Sequence, residues 1–332
     1  MLLKNKNTDY KNRTTYLVLF FLFMATNLFS QSSVMVERKL VLMGSIFHIT
    51  IVDKDSANAN HNINKTIAEI TRIENLISEW REETQISEVN RNAGIKPVKV
   101  DREVFDLTKR ALYYSNESNG VFDISTASMD KVWFFDGSMT VMPSKATISQ
   151  SIKKVNYKNI ILDSKACTIY LTQKGMKIGF GSIGKGYAAD KGRELMIGNG
   201  VVAGIVNASG DIATWGKQPN GKPWAIGINN PFSNRGIANV LKLEDSAVAT
   251  SGSYEKYAEI NGVRYSHIIN PKTGYPASGL TSVTIYGPSA EFSNFLSTSI
   301  MVLGKDEGRK LAKKYPDYQF LLITDAGHVL RR

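Results

Sequence analysis

The first half of the chain has the hydrophobic pattern of a strand segment followed by two amphipathic helices. Residues 37–52 are rich in β-branched and apolar side chains, which predicts a long strand or a strand pair. Apolar residues then recur at intervals of three and four, which predicts a helix with one buried face: Ile63, Ile67, Ile70, Ile73, Ile77 and Trp80. Since Trp80 ends this series, burial on the apolar face of the helix is one expectation for it. The same spacing predicts a second helix over residues 101–116.

The second half alternates short strands with turns and contains two more helices. A hairpin is predicted over residues 159–171, and a further strand is expected at residues 176–180. Helical composition follows at residues 186–196 and 291–314. The remaining strands are expected at residues 201–206, 224–228, 240–243, 283–286, 320–324 and 328–330. Runs of strands with only a few long helices indicate an α+β fold, and with no internal repeat or linker visible we expect a single domain with two lobes.

The N-terminus has a composition unlike that of the rest of the chain. Four basic residues precede the apolar run YLVLFFLFMA at residues 16–25, and the small residue Ser30 follows. This order is typical of a secretory signal peptide, and the run is shorter than the roughly 20 residues of a membrane-spanning helix. We therefore expect a signal peptide at residues 1–30, one domain over residues 31–332, and export to the periplasmic side of the inner membrane. An uncleaved anchor is the alternative.

Net charge and cysteine content indicate which binding partners and covalent links are to be expected. The formal net charge is +11, and residues 1–30 supply +3 of it, which leaves +8 for the remainder. These basic residues are dispersed and form no stripe interleaved with aromatics, so nucleic-acid binding is not expected. A positive protein is nevertheless compatible with peripheral association with an anionic membrane surface. The single cysteine, Cys167, excludes an intrachain disulfide and is expected to be a buried strand residue in the run ACTIYL.

The stretch KIGFGSIGKGYAADK, residues 177–191, matches two phosphate-binding patterns in part. Its glycines spell the dinucleotide pattern G-x-G-x-x-G, but no acidic residue follows about 20 positions later to hold a ribose. It also spells G-x-x-x-x-G-K, but Gly186 stands where a phosphate loop needs a serine or threonine. A glycine turn before a helix still directs backbone N–H groups at an anion, and Lys185 adds a positive charge. The stretch therefore predicts either a diphosphate site or a tight turn beside a solvated lysine.

Five other stretches occur with this loop in a family-specific order. They are MGS (43–45), GVFDIS (120–125), VNASGDIATWG (206–216), SHIINPKTGYP (266–276) and FSNFLSTSIMVLG (292–304). With the loop, they resemble the ApbE family of exported FAD:protein FMN transferases from about Leu40 to the C-terminus. The resemblance implies an ApbE-like fold of mixed, largely antiparallel sheets flanked by a few long helices. It also implies that the protein splits FAD, attaches FMN through a phosphoester to a threonine of a target protein, and releases AMP.

The resemblance further implies which residues bind FAD. The site would include Met43, Trp80, Val121, Phe122, Asp123, Gly179, Lys185 and Ile268. Trp80 and Phe122 would offer flat ring faces, and Asp123 would accept hydrogen bonds from ring or ribose donors. For Met43 and Phe122, core packing is the alternative.

Two residues are candidates for the chemical step. Lys185 would neutralise the charge that develops on the leaving AMP. His267 is the only histidine within a motif, and its ordinary pKa near 6.5 suits removal of a proton from the target hydroxyl at neutral pH. A histidine that only hydrogen-bonds the flavin or its phosphate is the alternative.

The expected metal site departs from the family pattern. By resemblance, Mg²⁺ would be bound by Ser182, Asn294, Ser297 and Thr298. The family usually has an aspartate where this chain has Asn294, and another where it has Gly179. Because a hard cation prefers carboxylate ligands, the loss of two negative charges predicts a weakly held Mg²⁺. Glu291, one turn before Asn294, is a candidate to replace one of them.

The motifs are compatible with three functions. The leading hypothesis is an exported, metal-assisted transferase that acts on a threonine-containing segment of an exported or membrane electron-transfer protein. The two missing charges favour, as an alternative, an FAD-binding protein without transfer activity. A further alternative is an FAD pyrophosphatase that releases FMN and AMP. A nucleoside triphosphatase is disfavoured, because the loop fails the phosphate-loop pattern.

Overall fold

The structure is a computed structural model that describes residues 33–233 and 236–332. The predicted signal peptide lies outside the described residues. The helices are α1 (Ser56–Ile77), α2 (Gln85–Arg91), α3 (Arg102–Glu117), α4 (Lys145–Ser151), α5 (Gly184–Gly198) and α6 (Ala290–Lys313), with short 3₁₀ turns at Ile124–Ser128 and Tyr157–Asn159. None of the helices in this described part is long and apolar enough to cross a membrane.

The strands form one large sheet and three small ones. They are β1 (Val34–Leu42), β2 (Ser45–Asp53), β3 (Val98–Lys99), β4 (Ile160–Asp163), β5 (Thr168–Leu171), β6 (Ala203–Ala208), β7 (Asp211–Trp215), β8 (Trp224–Asn229), β9 (Ile237–Leu243), β10 (Ala247–Gly252), β11 (Tyr257–Ile260), β12 (Val263–Ser266), β13 (Leu280–Gly287), β14 (Gln319–Thr324) and β15 (Val329–Arg331). The large sheet has the order β1-β2-β6-β7-β10-β13-β14-β15, and every neighbouring pair in it is antiparallel. The small sheets are β3-β5-β4, β8-β9 and β11-β12.

Three long helices cover one face of the large sheet. Helix α1 packs on β1 and β2, α5 on β6 and β7, and α6 on β10 and β13, while α5 also contacts both other helices. Ile63, Ile70 and Ile73 of α1 are fully buried, as the helical spacing predicts. The hairpin β8-β9 contributes Ile228 and Leu241 to a second cluster with β10 and β14. The structure therefore confirms the predicted α+β class with largely antiparallel sheets.

The expectation that Trp80 is buried on the apolar face of α1 is wrong. The helix ends at Ile77, and Ser78 is its C-terminal cap in an extended conformation. Thr84 turns the chain away, because its hydroxyl donates a hydrogen bond to the Ser78 carbonyl at 2.5 Å. The Trp80 side chain is 87% exposed as a result. An exposed indole is free to meet a ligand, which a buried one is not.

The strand predicted at residues 176–180 does not form. This segment joins none of the described sheets, because side chains satisfy its backbone groups instead. Asn90 accepts from the Ile178 N–H at 2.8 Å and donates to the Ile178 carbonyl at 3.0 Å. Ser128 does the same for Lys177, at 2.6 and 2.7 Å. These contacts fix the approach of the chain to the glycine loop without a sheet.

Cys167 is not a strand residue either. It lies in the turn between β4 and β5 with a φ of 54°, and it is only partly buried. Asp163 organises this turn by accepting hydrogen bonds from the N–H groups of Lys165 and Ala166. The left-handed conformation of Cys167 completes the hairpin, and the buried strand begins one residue later.

Candidate active site

The glycine loop ends in a set of backbone donors at the start of α5. The N–H groups of Ile183 and Gly184 are both taken by the Phe180 carbonyl, at 3.1 and 2.6 Å. Those of Gly181, Ser182 and Lys185 have no acceptor among residues 33–233 and 236–332. The positive end of the helix dipole reinforces these donors. The loop therefore has the local features of an anion site.

Close helix packing explains why a glycine follows Lys185. A Cβ atom at Gly186 would lie 2.6 Å from the carbonyl oxygen of Ala290, at the start of α6. Asp190, one turn further along α5, accepts hydrogen bonds from the N–H groups of Ala290 and Glu291, both at 3.0 Å. A serine or threonine at position 186 would separate the two helices, which excludes the hydroxyl that a phosphate loop uses. The same packing sets Lys185 beside the first turns of α6.

A cavity of about 400 Å³ lies at this junction. Nine of the predicted residues line it: Val121, Phe122, Asp123, Ser182, Lys185, His267, Ile268, Asn294 and Thr298. Two neighbouring grooves share Gly181 with the cavity. One contains Met43, the other contains Gly179, and Trp80 lies in both. The structure thus gathers residues from five separate motifs around the glycine loop.

Ser297 does not line the cavity. It is fully buried, with its Oγ 2.9 Å from the Ser251 Oγ, and it donates to the Asn294 carbonyl at 3.1 Å. Its hydroxyl is therefore engaged behind the cavity wall. The structure places it as a support for Asn294 and not as a cation ligand.

The Phe122 ring, which was expected to offer a flat face to FAD, is packed in the core instead. Phe122 is 1% exposed, and its ring packs edge-on against Tyr114 and Phe295. Core packing, the alternative for this residue, accounts for its ring. Asp123 accepts hydrogen bonds from the N–H and hydroxyl of Ser125 and from the N–H of Tyr157, at 2.6 to 2.9 Å. Its carboxylate thus holds the loop that forms this wall of the cavity.

Met43 lies at the turn between β1 and β2, with a φ of 49°. Its N–H donates to the Glu74 carboxylate on α1 at 3.0 Å, which fixes the turn against that helix. Because the Trp80 side chain is exposed across the same groove, the two side chains form an apolar entrance beside the glycine loop. This entrance is suited to a flat ring.

His267 lines the cavity, with one ring nitrogen held by a backbone carbonyl. It is half-buried, and its Nδ1 lies 3.1 Å from the Lys256 carbonyl. A carbonyl only accepts hydrogen bonds, so Nδ1 carries the proton and Nε2 of the neutral ring is left as an acceptor. Burial lowers the pKa of His267 below its ordinary value, and the charges of Lys256 and Lys185 act in the same direction. Both effects favour the neutral imidazole.

Asp211 is a site residue that the sequence motifs did not single out. It begins β7, is 4% exposed, and lines the cavity with Lys185. The side-chain amide of Asn294 donates a hydrogen bond to Oδ2 of Asp211. Burial raises the pKa of Asp211 to about 7, while the charge of Lys185 and the Asn294 hydrogen bond oppose the shift. The fragment SGD in its motif was the available signal.

Glu79 is a second carboxylate that the motifs did not single out. A Cβ atom at Gly179 would lie 2.6 Å from Oε1 of Glu79, so this carboxylate occupies the space that a side chain at 179 would take. It is half-buried beside Trp80 and lines both neighbouring grooves, and burial raises the pKa of its carboxyl. A carboxyl group is therefore present beside Gly179.

Glu291, by contrast, does not replace a missing charge. It is 6% exposed and accepts hydrogen bonds from Arg110 at 2.9 Å and from the Tyr114 hydroxyl at 2.9 Å. These bonds tie α6 to α3, and Glu291 does not line the cavity. Its role in the described structure is to hold the two helices together.

The oxygen atoms in the cavity suit a hard divalent cation. Asp211 provides a carboxylate, Asn294 an amide oxygen, and Thr298 and Ser182 provide hydroxyls. Within the described ranges, no group of three or more His, Cys, Asp or Glu side chains could hold a metal. A cation at this place would therefore depend on amide and hydroxyl oxygens, water and ligand phosphates beside one buried carboxylate, which is a typical environment for Mg²⁺.

The similarity of this chain to known proteins extends over most of its length. The model of the ApbE family matches residues 43–322. The FAD:protein FMN transferase of Klebsiella pneumoniae (strain 342) is 30% identical over 286 residues, which cover 86% of this chain and 87% of that protein. The FAD:protein FMN transferase of Treponema pallidum (strain Nichols) is 28% identical over 303 residues, covering 86% and 84%.

Solved structures agree with this match. The crystal structure of the ApbE protein from Thermotoga maritima has a TM-score of 0.82 and 31% identity, covering 90% of this chain and 97% of that one. The apo form of the flavinyl transferase ApbE from Pseudomonas stutzeri has a TM-score of 0.77 and 25% identity, covering 90% and 94%. The six motifs, the fold and these relatives agree, and the chain belongs to the ApbE family.

Proposed function

We propose that this protein is an FAD:protein FMN transferase that attaches FMN to a threonine of a target protein. The observation that carries the proposal is the meeting of three features in one cavity: the anion site of the glycine loop with Lys185, the base His267, and the oxygen ligands on α6. Pyrophosphate cleavage by a hydroxyl needs all three, since it needs a bound diphosphate, a proton acceptor and neutralisation of charge. Relatives named FAD:protein FMN transferase support the same activity.

The proposal gives each of these groups a role in the reaction. The threonine hydroxyl attacks the phosphorus on the FMN side of the FAD pyrophosphate, and its proton passes to Nε2 of His267. The bond between that phosphorus and the bridging oxygen breaks, and AMP leaves with the bridging oxygen. Lys185 and the N–H groups of Gly181 and Ser182 hold the pyrophosphate and stabilise the charge on the departing phosphate.

A divalent cation is part of this proposal. Asp211, Asn294, Thr298 and Ser182 would hold it. Mg²⁺ supplies Lewis-acid stabilisation of the phosphate oxygens when it is bound. Buried side chains, among them Phe122, Asp211 and Asn294, line the cavity, so electrostatic interactions inside it are stronger than in bulk water.

We further propose that the protein is exported and that its target is an exported or membrane electron-transfer protein. The N-terminal order of basic residues, a short apolar run and a small residue supports export to the periplasmic side of the inner membrane. The net positive charge of the remaining chain favours approach to an anionic membrane surface.

Two carboxyl groups lie close to the positions where the family usually has aspartates. Asp211 lies beside Asn294, and Glu79 lies beside Gly179. Their presence supports a transferase over an FAD-binding protein without transfer activity. Hydrolysis of FAD by water in place of threonine uses the same groups and is distinguished by its products.

Glu79 gives a prediction for FAD binding. Glu79→Gln keeps the size of the side chain but removes its charge, and we expect FAD affinity to fall about tenfold because a charged hydrogen bond to a ligand hydroxyl or ring N–H is lost. Titration of flavin fluorescence measures this. Glu83→Gln, an exposed glutamate in the same loop, is the matched control and should bind FAD as the wild type does. Equal affinities for both variants would remove Glu79 from the FAD site.

Ligand preference and product analysis test the proposed activity. The purified protein should bind FAD more tightly than NAD or ATP, because the exposed Trp80 and the diphosphate loop lie side by side. With Mg²⁺ and a threonine-bearing target, it should release AMP in amounts equal to the modified target. Tighter binding of ATP would contradict a flavin substrate, and release of free FMN with AMP would establish hydrolysis.

A further inference from the structure

We propose that Asp211, on β7, supplies the negative charge of a divalent-cation site whose other protein ligands are on α6 and in the glycine loop, and that Asn294 holds this carboxylate in place. The inference deepens the proposed function and rests on it for the role of the cation. The cation site itself is measurable without any transfer reaction.

The hydrogen bonds around Asn294 give its side chain one orientation. Its Nδ2 donates to Oδ2 of Asp211, and its Oδ1 accepts from the Thr298 hydroxyl at 3.3 Å. The amide is therefore fixed at both ends. A carboxylate oxygen, an amide oxygen and a hydroxyl oxygen are brought together on one wall of the cavity.

One oxygen of the Asp211 carboxylate has no hydrogen-bond donor among the described residues, which points to a bound cation. The residue is 4% exposed and lines the cavity, yet only one of its two oxygens has a hydrogen-bond donor among residues 33–233 and 236–332. A buried carboxylate without full compensation is costly, and Lys185, which lines the same cavity, forms no ion pair with it among the described residues. A divalent cation would complete its coordination.

The nearby carboxylate of Asp211 explains why an asparagine is suited to position 294. An aspartate there would bring two carboxylates within hydrogen-bond distance, which is unfavourable unless a cation lies between them. Asparagine instead donates a hydrogen bond and keeps an oxygen for the cation. Mg²⁺ is commonly held by one or two carboxylates together with ligand phosphates, so one carboxylate from β7 is sufficient.

Cation binding by the purified full-length protein tests the assignment, with Mn²⁺ as the probe. Electron paramagnetic resonance counts free Mn²⁺ directly, in the absence of FAD. Asp211→Asn keeps an acceptor for Asn294 but removes the charge, and we expect the affinity for Mn²⁺ to fall by at least about tenfold. Glu255→Gln removes an equal charge from the exposed rim of the same cavity and should change the affinity by less than about threefold.

Exchanging the side chains at positions 211 and 294 tests whether Asp211 binds the cation or only stabilises the structure. The double variant Asp211→Asn, Asn294→Asp moves the charge from β7 to α6 and should restore Mn²⁺ affinity to within about threefold of the wild type. Circular dichroism checks that each variant is folded. An unchanged affinity in Asp211→Asn, a folded exchange variant that stays weak, or a wild type that does not bind Mn²⁺ would each overturn the assignment. None of these results depends on FMN transfer. A failure of the cation assignment can therefore be distinguished from a failure of the proposed function.

Discussion

Replacing His267 with asparagine should lower the rate of FMN transfer by about 10²–10⁴-fold, the usual contribution of a general base. Asparagine can still donate to the Lys256 carbonyl, as Nδ1 of His267 does, but it has no proton acceptor where Nε2 lies. FAD affinity should change by less than about threefold, since a base contributes mainly in the transition state. Single-turnover transfer measured beside FAD titration separates the two effects.

A matched histidine and the pH dependence serve as controls for this result. His48→Asn removes a histidine that pairs with Glu37 on the β1–β2 hairpin, away from the cavity, and should leave transfer unchanged. Burial and the charges of Lys256 and Lys185 lower the pKa of His267, so the neutral base persists at neutral pH. The wild-type rate should therefore fall only as the pH decreases through a value below 6.5. A His267→Asn variant that keeps the wild-type rate would leave the histidine as a hydrogen-bonding residue only.

Lys185→Met should slow transfer by about 10²–10³-fold and weaken FAD binding by about tenfold or more. Methionine keeps the apolar stem and removes the charge that faces the pyrophosphate. The larger effect is expected on the rate, because charge on the phosphate that leaves increases during bond cleavage. The rate at saturating FAD and the dissociation constant of FAD, measured separately, check both parts.

Lys191→Met is the matched control on the same helix. Lys191 lies about two turns along α5, where it pairs with Glu194. It does not line the cavity, and exposed pairs of this kind contribute little. If both lysine variants behaved like the wild type, Lys185 would be a solvated residue at a structural turn.

Much of the fold follows from periodicity, and the exceptions have physical causes. The isoleucine spacing predicts α1 because one face of that helix is buried. Strand β7 was not predicted, because all five of its residues are buried and its sequence DIATW shows no alternation. Strand β10 was missed because its sequence, AVATSG, is dominated by small residues. Residues 176–180 have a strand-like composition, but side chains of Asn90 and Ser128 take the hydrogen bonds that a sheet would make.

The candidate site was predictable where motifs carry it, and less so where tertiary contacts do. Motif order alone leads to Lys185, His267 and Asn294, and the structure brings all three to one cavity. The carboxyl groups beside Asn294 and Gly179 could not be found from sequence position. Asp211 is 83 residues from Asn294, and Glu79 is 100 residues from Gly179. A carboxyl group can therefore be absent at a motif position and lie beside that position in the folded chain.

The intact mass of a threonine-bearing target protein tests the central claim most directly. The target is incubated with this protein, FAD and Mg²⁺, beside a second target in which the threonine is replaced by valine. The proposed function predicts that the first target gains the mass of one FMN less one water, with one AMP released for each modification, and that the valine target gains nothing. Release of AMP and free FMN while both targets keep their original mass would contradict it.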